Sequence, residues 1–152
     1  MSALFNVMEQ FFREDQWPFQ SLPNQGALTT NYQGQSGSYA AVARVDEELQ
    51  TISFATLYGR LVHPEARVRV LEFITRANFG LPLGCFTFEP DAGEVQFRTS
   101  IDVDGFAIST ALVRNLVYTN CLAMDAYAPG IAKVLSSEAS PEEAVLFVEE
   151  PE

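Results

Sequence analysis

Arg76-Ala77-Asn78-Phe79-Gly80-Leu81-Pro82-Leu83-Gly84-Cys85-Phe86-Thr87-Phe88-Glu89-Pro90-Asp91-Ala92-Gly93-Glu94-Val95-Gln96-Phe97-Arg98-Thr99-Ser100-Ile101-Asp102-Val103-Asp104 is the stretch whose periodicity decides the fold. From Val95 onward, Val95, Phe97, Thr99, Ile101 and Val103 fall on one side, and Gln96, Arg98, Ser100, Asp102 and Asp104 on the other. That period of two is a strand with one dry face and one wet face. Residues 85–89 form a second strand-like run, and Pro90-Asp91-Ala92-Gly93 between the two supplies turn residues, which predicts an antiparallel hairpin. The residues 76–79 that precede it close a helix.

Upstream, His63-Pro64-Glu65 starts that helix, with Pro64 suited to a first helical position and Glu65 complementing the helix dipole. Ala66, Val70, Phe73, Ile74 and Ala77 make its main apolar face, and Glu65, Arg69, Glu72 and Arg76 lie opposite. Val68 and Leu71 fall outside the stripe and widen the apolar surface beyond what one sheet needs. Residues 27–32, 39–46 and 49–58 are three more strand candidates, and their short connections predict an antiparallel meander. The small side chains of Ala41 and Ala43 imply a helix packed close above the second of these. Residues 3–14 carry Leu4, Val7, Met8, Phe11 and Phe12 at helical spacing, with Ser2 as N-cap, and this helix ends before Trp17-Pro18.

Downstream, a long helix is predicted from Ser109 or Thr110 to about Ala128, with Pro129-Gly130 kinking or restarting it. Leu112, Leu116, Thr119 and Ala123 form one row along it, and Val113, Val117, Cys121 and Met124 another. Only Arg114 and Asp125 are charged between Ala111 and Ala128, so the helix is apolar nearly all round, and one sheet cannot cover it. Such a helix is either sandwiched between other elements of its own domain or buried in a subunit interface, and the interface is the expectation. Val68, Leu71, Val113, Val117 and Met124 are its candidate residues, with Arg98 as a candidate polar anchor for a partner. Beyond Ser137, Ser140-Pro141-Glu142-Glu143 can open a last helical turn, residues 145–148 can be a strand or a docking segment, and residues 149–152 are expected to fray.

The fold class expected is therefore α+β, an antiparallel sheet of about five strands flanked by helices in the order α-β-β-β-α-β-β-α. One domain spans residues 1–137, followed by an acidic C-terminal tail, 138–152. A chain of 152 residues is long enough for one real core, and 47% hydrophobic with 19% charged residues is a globular composition. The net charge is −11, and more than half of it sits in the tail, which holds six Glu and no base. Such a chain is repelled by phosphate backbones and anionic lipid, so neither nucleic acid nor a membrane is an expected partner. No run of 18 apolar residues and no basic leader are present, and Cys85 and Cys121, without metal-ligand spacing, read as free thiols on core elements. A cytoplasmic protein is expected.

Chemistry is sparse. His63 is the only histidine, so any His-based triad or metal site must use it, and nothing marks it as a catalytic base. Asp102-Val103-Asp104-Gly105 opens like a calcium loop but lacks the third ligand before the glycine, and Val113 stands where the closing glutamate belongs. Gly34-Gln35-Ser36-Gly37-Ser38 lacks the Lys-Ser/Thr ending of a phosphate loop and joins two strands, so it reads as a flexible hairpin loop. Glu47 and Glu48 are adjacent at a turn and diverge. No catalytic residue, metal site or cofactor is expected.

The text Arg76-Ala77-Asn78-Phe79, then Leu83-Gly84-Cys85-Phe86-Thr87-Phe88, then Val95-Gln96-Phe97-Arg98, with Tyr127-Ala128-Pro129 later, resembles the YbjN-domain family over about residues 3–136. The resemblance implies a fold like that of type III secretion chaperones, frequently dimeric; it does not imply a reaction. Together with the surplus apolar surface, it leads to a non-enzymatic protein-binding module, chaperone-like or regulatory, acting as a homodimer on a protein or peptide client. The competing expectation is a small-ligand binder, or an enzyme, with a pocket near Arg98.

Overall fold

The computed structural model describes residues 2–150. Along them run α1 (Ala3–Glu14), β1 (Phe19–Leu22), β2 (Ala27–Gln33), β3 (Ser38–Asp46), β4 (Thr51–Leu57), α2 (Arg67–Gly80), β5 (Cys85–Glu89), β6 (Glu94–Asp102), α3 (Thr110–Leu135) and α4 (Pro141–Glu149). The strands form one antiparallel sheet in the order β1-β2-β3-β4-β6-β5. The α+β class and the antiparallel sheet are as expected, with a sixth strand, β1, added at one edge. Trp17-Pro18 does end the first helix. An edge strand tolerates a proline just ahead of it, and the Thr30 hydroxyl closes the corner by donating to the Pro18 carbonyl at 2.5 Å.

All of the sheet's helix contacts are on one face. Tyr39, Ala41, Ala43 and Val45 of β3, Ile52 and Phe54 of β4, and Val95 and Phe97 of β6 point into the helical layer and are buried. α1 lies over β3, where the alanines leave room for it, and inserts Leu4, Phe5, Met8, Phe11 and Phe12. α2 covers β5 with Val70, Phe73, Ile74 and Ala77. α3 crosses β4 and β6 between them, and α4 packs on α2 and α3. Among the described residues no helix covers the other face of the sheet, an arrangement common in antiparallel sheets.

This layering corrects the reading of α3. Val113, Val117 and Met124 are at most 1% exposed and belong to the core, not to a surface. α1, α2, α4 and the sheet bury this stripe of α3 within one chain, while Ala111, Asn115 and Leu122 stay exposed on its other side. Leu122 is the one large apolar side chain of α3 left exposed among the described residues. Nor does Pro129 stop the helix, which continues to Leu135.

The C-terminal segment is a helix, α4, with a complete capping box. The Ser140 hydroxyl accepts from Glu143 N, and the Glu143 carboxylate accepts from Ser140 N. Its Ala144 and Val145 are buried, and Glu149 accepts a 2.5 Å hydrogen bond from the Tyr127 hydroxyl. Fraying from residue 149 is therefore not seen at Glu149, and Pro151 and Glu152 lie outside the described residues. Two smaller expectations also change. Cys121 is buried, but Cys85 is exposed, because the register sets it opposite Arg98 on the open face. The 34–38 loop is not loose: the Gln35 and Ser36 amides and the Tyr39 hydroxyl all donate to the Asp125 carboxylate at 2.8–2.9 Å.

Candidate functional site

The residues that carry the most distinctive text converge on Phe86 and are structural. Asn78, at the end of α2, pairs with Phe86 as a neighbouring strand would: its Nδ2 donates to the Phe86 carbonyl at 3.1 Å and its Oδ1 accepts from Phe86 N at 2.7 Å. That blunts the edge of β5. Gly84 has φ +75°, and a Cβ there would lie 2.7 Å from the Phe97 ring, so only glycine fits. The Phe86 ring packs edge-on against Phe97 at 4.8 Å and Tyr127 at 5.6 Å. Burial and the bond to Glu149 push the Tyr127 hydroxyl well above the usual tyrosine range. The one nucleophile of this text, Cys85, is exposed on the other face of the sheet opposite Arg98.

Beside this knot the sheet leaves an edge open. β4 pairs with β6 as far as Asp102, whereas β5 pairs with it only as far as Arg98, so residues 99–102 have one unpaired side. Under that edge runs a groove of about 510 Å³ between β6 and the first turns of α3, bordered by Leu83, Thr99, Ile101, Leu112, Leu116 and Thr119. Thr99 ties the groove wall together by donating to the Leu116 carbonyl at 2.9 Å. The row Leu112, Leu116 and Thr119, outside the buried stripe of α3, is thus groove lining.

Val68 and Leu71 stand on the outer side of α2, 79% and 44% exposed, and Phe79 extends the same stripe at 95%. A second groove, of about 540 Å³, joins this stripe to α4 through Thr75, Phe79, Val145 and Leu146. Arg98 is on the opposite side of the molecule, on the helix-free face of the sheet. The expected site residues therefore divide three ways: Val68 and Leu71 on one surface, Arg98 on another, and Val113, Val117 and Met124 in the core.

Two residues missed in the sequence hold the frame of these surfaces. Asn120, fully buried on α3, donates to the Phe54 and Phe97 carbonyls at 2.8 and 2.9 Å and accepts from the Thr56 hydroxyl at 2.7 Å. Asp125 pins the 34–38 loop as described, and burial together with that carboxylate raises the Tyr39 hydroxyl far above its ordinary value. Their signal was a polar residue inside an apolar helix, which a buried network has to satisfy. His63 caps the turn ahead of α2 and contacts Glu65 at 3.0 Å in solvent. Among the described residues no three His, Cys, Asp or Glu side chains converge to hold a metal ion, and no helix is long and apolar enough to cross a membrane.

Known proteins match this architecture. The fold is similar to that of YbjN from E. coli, with a TM-score of 0.59 at 12% identity over 88% of this chain and 90% of that one. It is similar to a chain of the HopA1-SchA chaperone-effector complex, at 0.56 and 12% over 80% and 91%, and to a chain of the ExsC-ExsE complex, at 0.57 and 12% over 84% and 95%. At such identity the likeness is one of fold, and the fold is type III secretion chaperone-like. No curated protein matches the chain in sequence. Residues 5–133 match the sequence profile of the family named YbjN and described as "Putative bacterial sensory transduction regulator". With that span covering most of its 152 residues, the chain belongs to the YbjN family.

Proposed function

We propose that the chain is a non-enzymatic, chaperone-like or regulatory protein-binding module of the cytoplasm, which holds an extended segment of a partner protein along β6 and self-associates through α2. The observation that carries this reading is the coincidence of a free strand edge at residues 99–102 with an apolar groove directly beside it. A segment added at a sheet edge gains main-chain hydrogen bonds, and every second side chain is directed to one face, here toward Leu112 and Leu116. A net charge of −11 favours segments without acidic residues. That a chain of similar fold comes from a chaperone-effector complex supports a protein partner. The exposed stripe Val68, Leu71 and Phe79 supports self-association, on a surface separate from the groove.

A displayed library of random peptides tests the groove. The expected outcome is enrichment of sequences with alternating apolar residues and few acids, whose binding is lost on Leu83→Glu or Leu112→Glu while both variants keep the wild-type circular dichroism. Enriched peptides that bind the two variants as well as wild type would sink the assignment.

A further inference from the structure

The helix-free face of the sheet carries two arginines at its centre, and among the described residues neither has a carboxylate partner. Arg44 on β3 and Arg98 on β6 both point outward, as their exposure in otherwise alternating strands requires. Arg44 stands opposite Ser53 of β4, Ser53 opposite Ser100, and Arg98 is two residues from Ser100 on the same side. Two strand spacings and one two-residue step put their Cα atoms roughly 12 Å apart. Both border one open concavity of about 340 Å³, lined also by the small side chains Ser53, Ala55 and Ser100 and by Val42, Leu57 and Gln96. Among the described residues neither guanidinium has a carboxylate within 4.0 Å, which is also true of Arg60, Arg67, Arg69 and Arg114.

The acids at the ends of these strands are engaged elsewhere. Asp46 accepts from the Glu48 and Leu49 amides at 3.0 and 2.9 Å, and Asp102 accepts from the Asp104 amide at 2.9 Å. At the other end Glu89 accepts from the Ala92 amide at 2.5 Å, and Glu94 from the Gln96 side chain at 2.6 Å. The central pair of cations is thus left open, between acidic borders at both strand ends. A polyanion or a long acidic peptide would run over those borders and be repelled. Only a compact anion fits between them.

We propose that Arg44 and Arg98 form a binding site for a small phosphorylated molecule on the face opposite the helices. Two guanidinium forks that approach from different strands need an anion offering two separate oxygen edges, which a tetrahedral phosphate does and a single carboxylate does not. The small side chains of Ser53 and Ala55 leave room for the phosphate, and the size of the concavity sets the class of ligand as a small molecule. The site lies on the opposite face of the sheet from the groove at β6, with Ser100 bordering both, and away from the α2 stripe, and the Arg44 and Arg98 variants test it separately from the protein-binding reading.

Cys85 supplies a built-in reporter. It is exposed directly opposite Arg98, whereas Cys121 is fully buried, so a neutral alkylating reagent such as iodoacetamide reads Cys85 in the native protein. The experiment follows alkylation rate and melting temperature against inorganic phosphate, succinate and chloride at equal ionic strength, in wild type, Arg44→Gln, Arg98→Gln and the distant control Arg114→Gln. The expected result is that phosphate slows Cys85 alkylation at least threefold and raises the melting temperature above that in chloride. Both effects should vanish in the Arg44 and Arg98 variants and persist in the Arg114 variant. Equal behaviour in phosphate and chloride would overturn the site, as would effects that survive both substitutions. Succinate acting as strongly as phosphate would overturn the ligand class. A substituted protein that melts cooperatively in chloride is folded, so its failure to respond is a result about binding.

Discussion

Asp15 stands where α1 hands over to the sheet, and its Oδ2 accepts from Trp17 Nε1 at 2.8 Å and from the Tyr118 hydroxyl at 2.5 Å. Those two bonds, Tyr118's first, hold its carboxyl below the ordinary 3.8, while burial and the same contact push the Tyr118 hydroxyl up to about 12. The sign follows from linkage. A carboxyl whose folded value is depressed adds stability that is fully present above 3.8 and is lost as the pH falls through the lower folded value. Because Asp15 is exposed, the loss is small in energy but local in effect, freeing the ring of Trp17. Trp17 is the only tryptophan, and its ring stacks on Tyr32 at 5.9 Å and meets Phe12 edge-on at 5.4 Å. Trp17 fluorescence is therefore expected to show a step on acidification below 3.8 that is absent in Asp15→Asn. A step unchanged in that variant would reassign it to another acid, with Glu9 the first to examine, since bonds from Ser21 and Arg13 hold its carboxyl low as well.

Among the elements, α3 shows how packing overrides intrinsic preference at Gly130. Replacing a helical glycine with alanine gains roughly 0.5–1 kcal/mol when nothing is in the way. Here a Cβ would lie 2.8 Å from two carbons of the Phe73 ring and 3.1 Å from Val148 Cγ1. Phe73 is fully buried and packed edge-on against Tyr127, so it cannot retreat, and overpacking of this kind costs about 1–3 kcal/mol. Gly130→Ala is expected to lower the urea midpoint by the equivalent of about 1–2 kcal/mol with an unchanged slope; a raised midpoint would mean that α2 and α4 stand off from α3. In the sequence Pro129-Gly130 is legible only as a helix breaker, because composition shows what a residue prefers and not what approaches it. The same limit runs through the other elements. The faces of α2 were legible to the residue, since Val70, Phe73, Ile74 and Ala77 repeat at helical period and Val68 and Leu71 do not. On α3 the period was lost in uniform apolarity, and the burial of Val113, Val117 and Met124 depends on α1 and α4 arriving from both ends of the chain. β1 was hidden because four residues beside a proline carry too short a pattern. The groove at β6 was not legible at all, since it arises from β5 ending one pairing short of Thr99, a relation between elements that no local period records.

For the whole molecule, one stripe of the apolar surface that survives folding lies on the outer side of α2 and continues onto α4. Phe79 projects from it at 95% exposure, next to the groove of about 540 Å³ bordered by Thr75, Val145 and Leu146. A two-fold interface must be self-complementary, and a projecting ring beside a groove on one surface meets that condition, since the ring of each copy can seat in the groove of the other. Seating Val68, Leu71 and Phe79 removes three large apolar side chains per copy from water, each worth roughly 1.5–3 kcal/mol when fully buried. The six side chains, with Leu71 already half-buried, are of the same order as an association cost of about 4–15 kcal/mol, so the dimer expected is a reversible one. Light scattering on a sizing column, run over a dilution series, is expected to give roughly twice 16.8 kDa at high concentration and to approach 16.8 kDa on dilution. Phe79→Glu should give the monomer throughout, because it removes the projecting ring and symmetry sets one introduced carboxylate at each of the two grooves, beside Glu142. It should leave the melting temperature, extrapolated to low concentration, unchanged, since Phe79 contributes almost nothing to the core. A wild type that stays monomeric at the highest concentration would remove self-association from the reading and leave the α2 stripe, like the groove at β6, as a surface for a partner of different sequence.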